Sequence, residues 1–214
     1  SLQLSDPDAT IRAIQVTSSV PAEGKSSLTL SLAVLMVKEG KKVLVIDGDL
    51  RRGKLDQTLG LTDVGLGLTD FVLATTDVPD EFIVKHESTG MDFMRMGDAR
   101  FVNATDIFTS KRMRKIVETL KERYDYILFD TPPVMAVADA RVVGQIVDKS
   151  IFVVRWDKTP RKVARASIDL LTKGGTKIAG IVLQQVDLKR YGKLGYGDSG
   201  YYYHYGTYGS YYKS

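Results

Sequence analysis

The sequence predicts an α/β fold, a mostly parallel β-sheet flanked by helices. Short β-branched, apolar runs recur along the chain, and longer stretches with 3.6-residue periodicity separate them. Acidic residues stand just past the ends of two of the apolar runs, where ligands of open α/β sheets bind. The strands are read at residues 11–17, 42–46, 91–96, 126–129, 150–155 and 178–185. Each is expected to be buried on both faces, because crossover helices cover a parallel sheet from both sides. Helices are read at residues 25–38, 106–123, 139–147 and 160–173, the last with Thr159 as N-cap and Pro160 at its first position. From Asp187 the pattern stops: glycines alternate with nine tyrosines, and no aliphatic residue follows Leu194. The expected division is a folded domain over residues 1–188 and a flexible tyrosine-rich tail over residues 189–214.

A chain of 214 residues with 43% hydrophobic composition supports one sizeable core. Its net charge of +4 comes from Lys and Arg spread along the whole length rather than clustered, so nucleic acid is not an expected partner. With no cysteine, disulfides and thiolate chemistry are excluded. No apolar run approaches the roughly 18 residues of a membrane span, and the N-terminus lacks signal-peptide anatomy, so the chain as given reads as soluble. It opens on Ser1 rather than Met, which suggests a piece of a longer protein whose remainder carries a membrane anchor or partner-binding region. His86 and His204 are far from each other and from any carboxylate cluster, so no metal or base role is expected of them. Trp156, directly after a strand, reads as edge packing rather than a nucleotide-stacking surface.

Ser18-Ser19-Val20-Pro21-Ala22-Glu23-Gly24-Lys25-Ser26 lies between a strand and a helix, the context of a Walker A loop. Phosphate binding needs backbone N–H groups at a helix N-terminus, an ammonium for the β/γ-phosphates and a hydroxyl for Mg²⁺. Ala22, Glu23, Gly24, Lys25, Ser26 and Ser27 are the candidate nucleotide-binding residues, for ATP with Mg²⁺. Ser19 stands where the first glycine of the pattern usually falls, and a plain surface turn capped by Ser26 or Ser27 is the competing interpretation. Val43-Leu44-Val45-Ile46-Asp47-Gly48-Asp49-Leu50-Arg51 puts two carboxylates and an Arg past the end of a buried strand. Tyr126-Ile127-Leu128-Phe129-Asp130-Thr131-Pro132-Pro133 repeats the arrangement, making Asp130 a Walker B-like metal candidate.

The Walker A loop, the Walker A′ stretch Ile46-Asp47-Gly48-Asp49-Leu50-Arg51, the Phe129-Asp130-Thr131-Pro132-Pro133 motif and the tyrosine-rich tail together resemble the bacterial tyrosine kinases that regulate capsule and exopolysaccharide export. The likeness covers nearly the whole chain, and the eukaryotic-kinase His-Arg-Asp and Asp-Phe-Gly elements are absent. It implies a P-loop NTPase-like domain in which Lys25 binds phosphates and Ser26, Asp49 and Asp130 serve Mg²⁺. Lys25, Asp47 and Asp49 would form the catalytic set, with Asp47 accepting the phenolic proton. The phosphoacceptors would be Tyr191, Tyr196, Tyr201, Tyr202, Tyr203, Tyr205, Tyr208, Tyr211 and Tyr212. Also implied are transfer between subunits of a homo-oligomeric ring, a membrane activator or co-polymerase module, fused or separate, a cognate tyrosine phosphatase, and a place at the cytoplasmic face of the inner membrane.

Where the sequence departs from the family pattern, further expectations follow. Ala22 replaces a frequent glycine, which predicts a negative φ there. Gln184 stands where related ATPases often place an adenine-contacting Asn. The family's arginine-containing assembly motif, which precedes the first strand, is absent from a sequence that opens at Ser1, so ring formation is carried by the resemblance alone. Two other readings remain open. One is a partitioning or septum-positioning ATPase, against which Val20 stands where those proteins carry a second lysine. The other is a non-catalytic, nucleotide-dependent adaptor.

Overall fold

The computed structural model describes residues 11–61, 65–100 and 102–193. A seven-stranded sheet, in the order β3-β4-β2-β5-β1-β6-β7, forms the centre. Its strands are β1 (Ala13–Ser18), β2 (Val43–Asp47), β3 (Val84–His86), β4 (Met91–Met94), β5 (Tyr126–Asp130), β6 (Lys149–Arg155) and β7 (Ile178–Gln184). All neighbours pair in parallel except β3 with β4, which form an antiparallel hairpin at one edge. The helices are α1 (Lys25–Lys38), α2 (Leu55–Thr58), α3 (Leu68–Leu73), α4 (Ala104–Thr109), α5 (Lys111–Arg123), α6 (Asp139–Val143), α7 (Arg161–Lys173) and α8 (Leu188–Lys193), with a 3₁₀ turn at Asp80–Phe82.

Alternation along the strands divides the core between the two faces. Leu44 and Ile46 of β2 join Ile127 and Phe129 of β5 beneath Met113, Ile116, Val117 and Leu120 of α5. Val43 and Val45, with Leu128 and Ile14, pack instead against Leu28, Leu32 and Met36 of α1. Side chains of successive strand residues point to opposite faces, so a wholly apolar strand feeds both cores. A third, smaller cluster joins Phe152 and Val154 of β6 to Ala164, Ile168 and Leu171 of α7.

The expected strands are all present, with ends displaced by one or two residues. β1 starts at Ala13 rather than residue 11, because the Arg12 and Ala13 amides donate to Asp148 Oδ2 at 2.9 and 2.8 Å. β7 departs from the expectation of two-sided burial: it is an edge strand, with Ile181 57% and Leu183 54% exposed. The single helix expected over residues 106–123 is two. Ser110, with φ −62° and ψ 147°, ends α4 and caps α5, its Oγ accepting from the Met113 amide at 3.0 Å. The helix expected over residues 139–147 stops at Val143, followed by Gly144, where a Cβ would sit 2.1 Å from Thr176 Oγ1. Pro160 is the N-cap of α7 rather than its first residue, and Thr159 turns its hydroxyl to Glu23 instead of capping the helix. α8 crosses the boundary expected between residues 188 and 189, so Tyr191 lies on a helix rather than on a structureless tail. The other eight tail tyrosines lie outside the described residues.

Candidate active site

β1, β2 and β5 lie side by side at the centre of the sheet and end at the same edge, where Asp47 and Asp130 stand opposite each other in register. The loop after β1 wraps into α1. Its turn is made by Ala22 (φ 63°) and Gly24 (φ 94°), both left-handed. The negative φ expected for Ala22 is therefore incorrect: this alanine takes the conformation glycine adopts without steric cost. Gln185, itself at φ 58°, supports the turn by donating from Nε2 to the Ala22 carbonyl at 3.2 Å. Gln184 also lies against the loop, its Cβ 3.4 Å from where a Cβ on Gly24 would stand.

Glu23 is almost fully buried. Its carboxyl accepts from the Val20 amide at 2.7 Å, the Arg155 amide at 3.3 Å and the Thr159 hydroxyl. The side chain thus fastens the loop to the end of β6, leaving the Glu23 backbone for any phosphate contact. This tie was not foreseen; the only sequence signal was a glutamate in a loop otherwise built of small residues.

At the N-terminus of α1 no side chain caps the helix. Exposed first-turn N–H groups and the helix dipole together form an anion site. Lys25 and Ser26 stand half-buried in that turn, and Ser27 is exposed. The Ser26 hydroxyl donates to Asp130 Oδ2 at 2.5 Å, while the Thr29 hydroxyl lies 3.5 Å from Asp130 Oδ1. Ser19 Oγ, at the start of the loop, is buried without a hydrogen-bond partner.

The carboxylates are strongly perturbed. Burial, followed by the Asp130 charge, raises Asp47 to about 7, against the pull of the Leu55 and Asp49 amides. Burial raises Asp130 to about 6, opposed by the Ser26 hydroxyl and the nearby Lys25 ammonium. Two carboxylates pressed together in a dry site favour the proton, and a cation between them would relieve both. Asp49 is half-buried, and its Oδ1 accepts from the Arg51 and Arg52 amides at 3.3 and 3.0 Å, shaping the turn after β2. Arg51 Nε reaches Asp139 Oδ2 at 2.8 Å, and Thr105 Oγ1 donates to Asp139 Oδ1 at 3.1 Å. That buried anchor under the Walker A′ turn was also unforeseen, since Asp139 reads in sequence as a helix-start residue.

These residues fit a magnesium nucleotide. No group of three His, Cys, Asp or Glu side chains among the described residues could hold a metal alone. Mg²⁺ binds through one or two protein oxygens together with phosphates and water, and Ser26 and Asp130, joined at 2.5 Å, would supply that donor set. The uncapped helix start and Lys25 would supply the phosphate cradle. Trp156 packs edge-on against Tyr191, ring centroids 6.3 Å apart, with the Arg190 guanidinium 5.7 Å from the Trp156 ring.

A family model for an AAA domain matches residues 12–154. The tyrosine-protein kinase YwqD of Bacillus subtilis is 30% identical over 202 residues, covering 92% of this chain and 81% of the relative. The putative tyrosine-protein kinase AmsA of Erwinia amylovora is 33% identical over 199 residues, covering 92% of this chain but 27% of that longer protein. The kinase domain of the Escherichia coli tyrosine kinase ETK superposes with a TM-score of 0.79 at 27% identity, over 87% of this chain and 73% of that one. The uncapped phosphate loop, the facing carboxylates and this shared fold have one common explanation: the chain belongs to the bacterial tyrosine-kinase family, built on a P-loop NTPase-like sheet.

Proposed function

We propose that the chain transfers the γ-phosphoryl group of Mg·ATP to tyrosine hydroxyls, above all those of its own C-terminal cluster. The observation that carries this is the placement of Asp47, a buried carboxyl at the end of β2 in register with Asp130, whose Oδ2 accepts from the Ser26 hydroxyl. A carboxylate beside the phosphate site is a suitable acceptor for a phenolic proton. Bound magnesium would neutralise phosphate charge. Lys25 and the α1 amides would hold the β- and γ-phosphates, and Ser26 and Asp130 would hold the metal, with Asp49 behind them. The tyrosine oxygen forms the new bond to phosphorus as the bond to the β-phosphate oxygen breaks, the phenolic proton passes to Asp47, and ADP leaves. Positioning and charge supply most of the acceleration, with the base contributing less.

The acceptors in this reading are Tyr191, Tyr196, Tyr201, Tyr202, Tyr203, Tyr205, Tyr208, Tyr211 and Tyr212, delivered by the tail of one molecule to the site of another in a ring. Each phosphate adds about −1.5 to −2 charges, so heavy modification would push neighbours apart and regulate polysaccharide export. The two lengths of relative fit an activator module that is separate in some proteins and fused in others, at the inner face of the membrane, with a phosphatase to reverse the modification. A mixing experiment tests it. A Lys25→Met chain keeping its tail is incubated with Mg·ATP and an active chain ending at Arg190. The Lys25→Met chain gains phosphate mass if transfer runs between molecules. ATP turnover with no mass gain on either chain would instead favour a partitioning-type ATPase, and nucleotide binding without turnover an adaptor.

A further inference from the structure

Among the described residues, three other than glycine take left-handed backbone conformations: Ala22 at φ 63°, Asp157 at φ 55° and Gln185 at φ 58°. An L-residue meets a steric cost at positive φ, so the contacts around each must hold it there. The three lie far apart in the sequence, yet one line of contacts joins them. Gln185 Nε2 donates to the Ala22 carbonyl at 3.2 Å, and the neighbouring Gln184 carbonyl accepts from the Trp156 amide at 3.0 Å. Asp157 follows Trp156, and its Oδ2 pairs with Arg190 Nη2 of α8 at 2.9 Å. That pair is exposed and contributes little by itself. The stronger hold is on the ring between: the Arg190 guanidinium lies 5.7 Å from the centre of Trp156, and Tyr191 meets the same ring edge-on at 6.3 Å. Val186 and Asp187 alone separate Gln185 from α8, and the Asp187 carbonyl accepts from the Tyr191 amide at 2.8 Å. The turn that carries Trp156 grips the phosphate loop from its other side as well, through the Arg155 amide and the Thr159 hydroxyl on Glu23.

We infer that α8 is a latch on the phosphate loop, with Trp156, Arg190 and Tyr191 as positioning residues that act through Gln185 on Ala22. The inference rests on the reading of that loop as the nucleotide site and adds what keeps it in shape. With α8 seated on Trp156, the short connection from β7 is fixed at both ends, Gln185 keeps its bond to the Ala22 carbonyl, and the left-handed turn before α1 is held. With α8 released, Gln185 and Ala22 are free to relax to negative φ, and the turn that presents the first amides of α1 to an anion is lost. Coupling of this kind is reciprocal: a nucleotide that needs the formed loop tightens α8 on Trp156 by the same factor by which α8 tightens the nucleotide. The chain beyond Lys193 leaves from α8, so occupancy of the nucleotide site is transmitted to the root of the tyrosine-rich segment.

Trp156 is the one tryptophan of the chain, so intrinsic fluorescence reports on α8 directly. The test titrates the full chain with Mg·ADP, which requires no phosphoryl transfer, following Trp156 emission beside calorimetric affinity. The wild-type emission shifts on saturation. Tyr191→Ala has a shifted emission before any nucleotide is added and binds Mg·ADP about fivefold more weakly. Arg190→Ala moves both readings in the same direction, and Tyr191→Phe, which keeps the ring, returns them to wild type. Gln185→Ala cuts the link between helix and loop: its emission without nucleotide is that of the wild type, its affinity falls, and its emission no longer responds to Mg·ADP. Wild-type affinity in Tyr191→Ala, a nucleotide response that survives in Gln185→Ala, or wild-type binding of Mg·ADP with no change at Trp156 overturns the latch and leaves the nucleotide site standing. A wild-type chain that binds no Mg·ADP overturns both.

Discussion

Removing the Glu23 side chain should loosen the phosphate loop at a calculable cost. Glu23 is 1% exposed, and its carboxyl is the acceptor for the Val20 amide, the Arg155 amide and the Thr159 hydroxyl. In Glu23→Ala the two amides lose that partner in a partly buried setting, at about 1–2 kcal/mol each, while the Thr159 hydroxyl can rotate elsewhere. The expected loss is about 2–4 kcal/mol of unfolding free energy. Thr159→Val removes only one donor and should cost about 1 kcal/mol. Because the two residues touch, a double-mutant cycle should return a coupling of about 0.5–2 kcal/mol. Urea unfolding of the four proteins gives these values, and ATP affinity should follow the same order, since the proposed function gives the loop that Glu23 holds the task of gripping phosphate. A Glu23→Ala protein with wild-type unfolding midpoint and wild-type ATP affinity would refute the assignment of Glu23 as the clasp between loop and sheet.

The raised pKa of Asp47 predicts a trade between stability and activity. In the metal-free protein the folded carboxyl holds its proton up to about 7 while the unfolded chain releases it near 3.8. Stability therefore falls as pH rises between those values, and the deficit persists above 7. In EDTA at pH 8, Asp47→Asn should melt higher than wild type while transferring phosphate more slowly; a lower melting temperature at pH 8 contradicts the sign. Asp139→Asn weakens the hold on the half-exposed Arg51 and should cost about 1–2 kcal/mol, read by chemical denaturation, with a slowed phosphoryl transfer. Ser110→Ala removes the cap between α4 and α5 and should cost about 1 kcal/mol without changing the KM for ATP.

Much of this arrangement was legible because the relevant patterns are local. The apolar runs before Asp47 and Asp130 place both carboxylates at strand ends, and Gly24-Lys25-Ser26 before an apolar period marks the start of α1. What escaped depends on contacts distant in sequence. Thr159 looks like a helix cap until Glu23, 136 residues away, takes its hydroxyl. Asp139 looks like a helix start until Arg51 and Thr105 arrive from other elements. Ala22 was expected at negative φ on intrinsic preference, but the loop around Gly24 and Gln185 holds it left-handed. Ser110 did carry a local signal, a capping serine three residues before Met113, hidden by apolar periodicity continuous across the break. The three-residue β3 was too short to show any alternation, and only its pairing with β4 defines it.

The most direct test is intact-mass spectrometry of the full chain after incubation with Mg·ATP, beside Lys25→Met and a chain ending at Arg190. A ladder of added phosphates on the full chain, absent from both others, is the predicted result. An unchanged mass while ATP is consumed, or an equal ladder on the Lys25→Met chain, would contradict it.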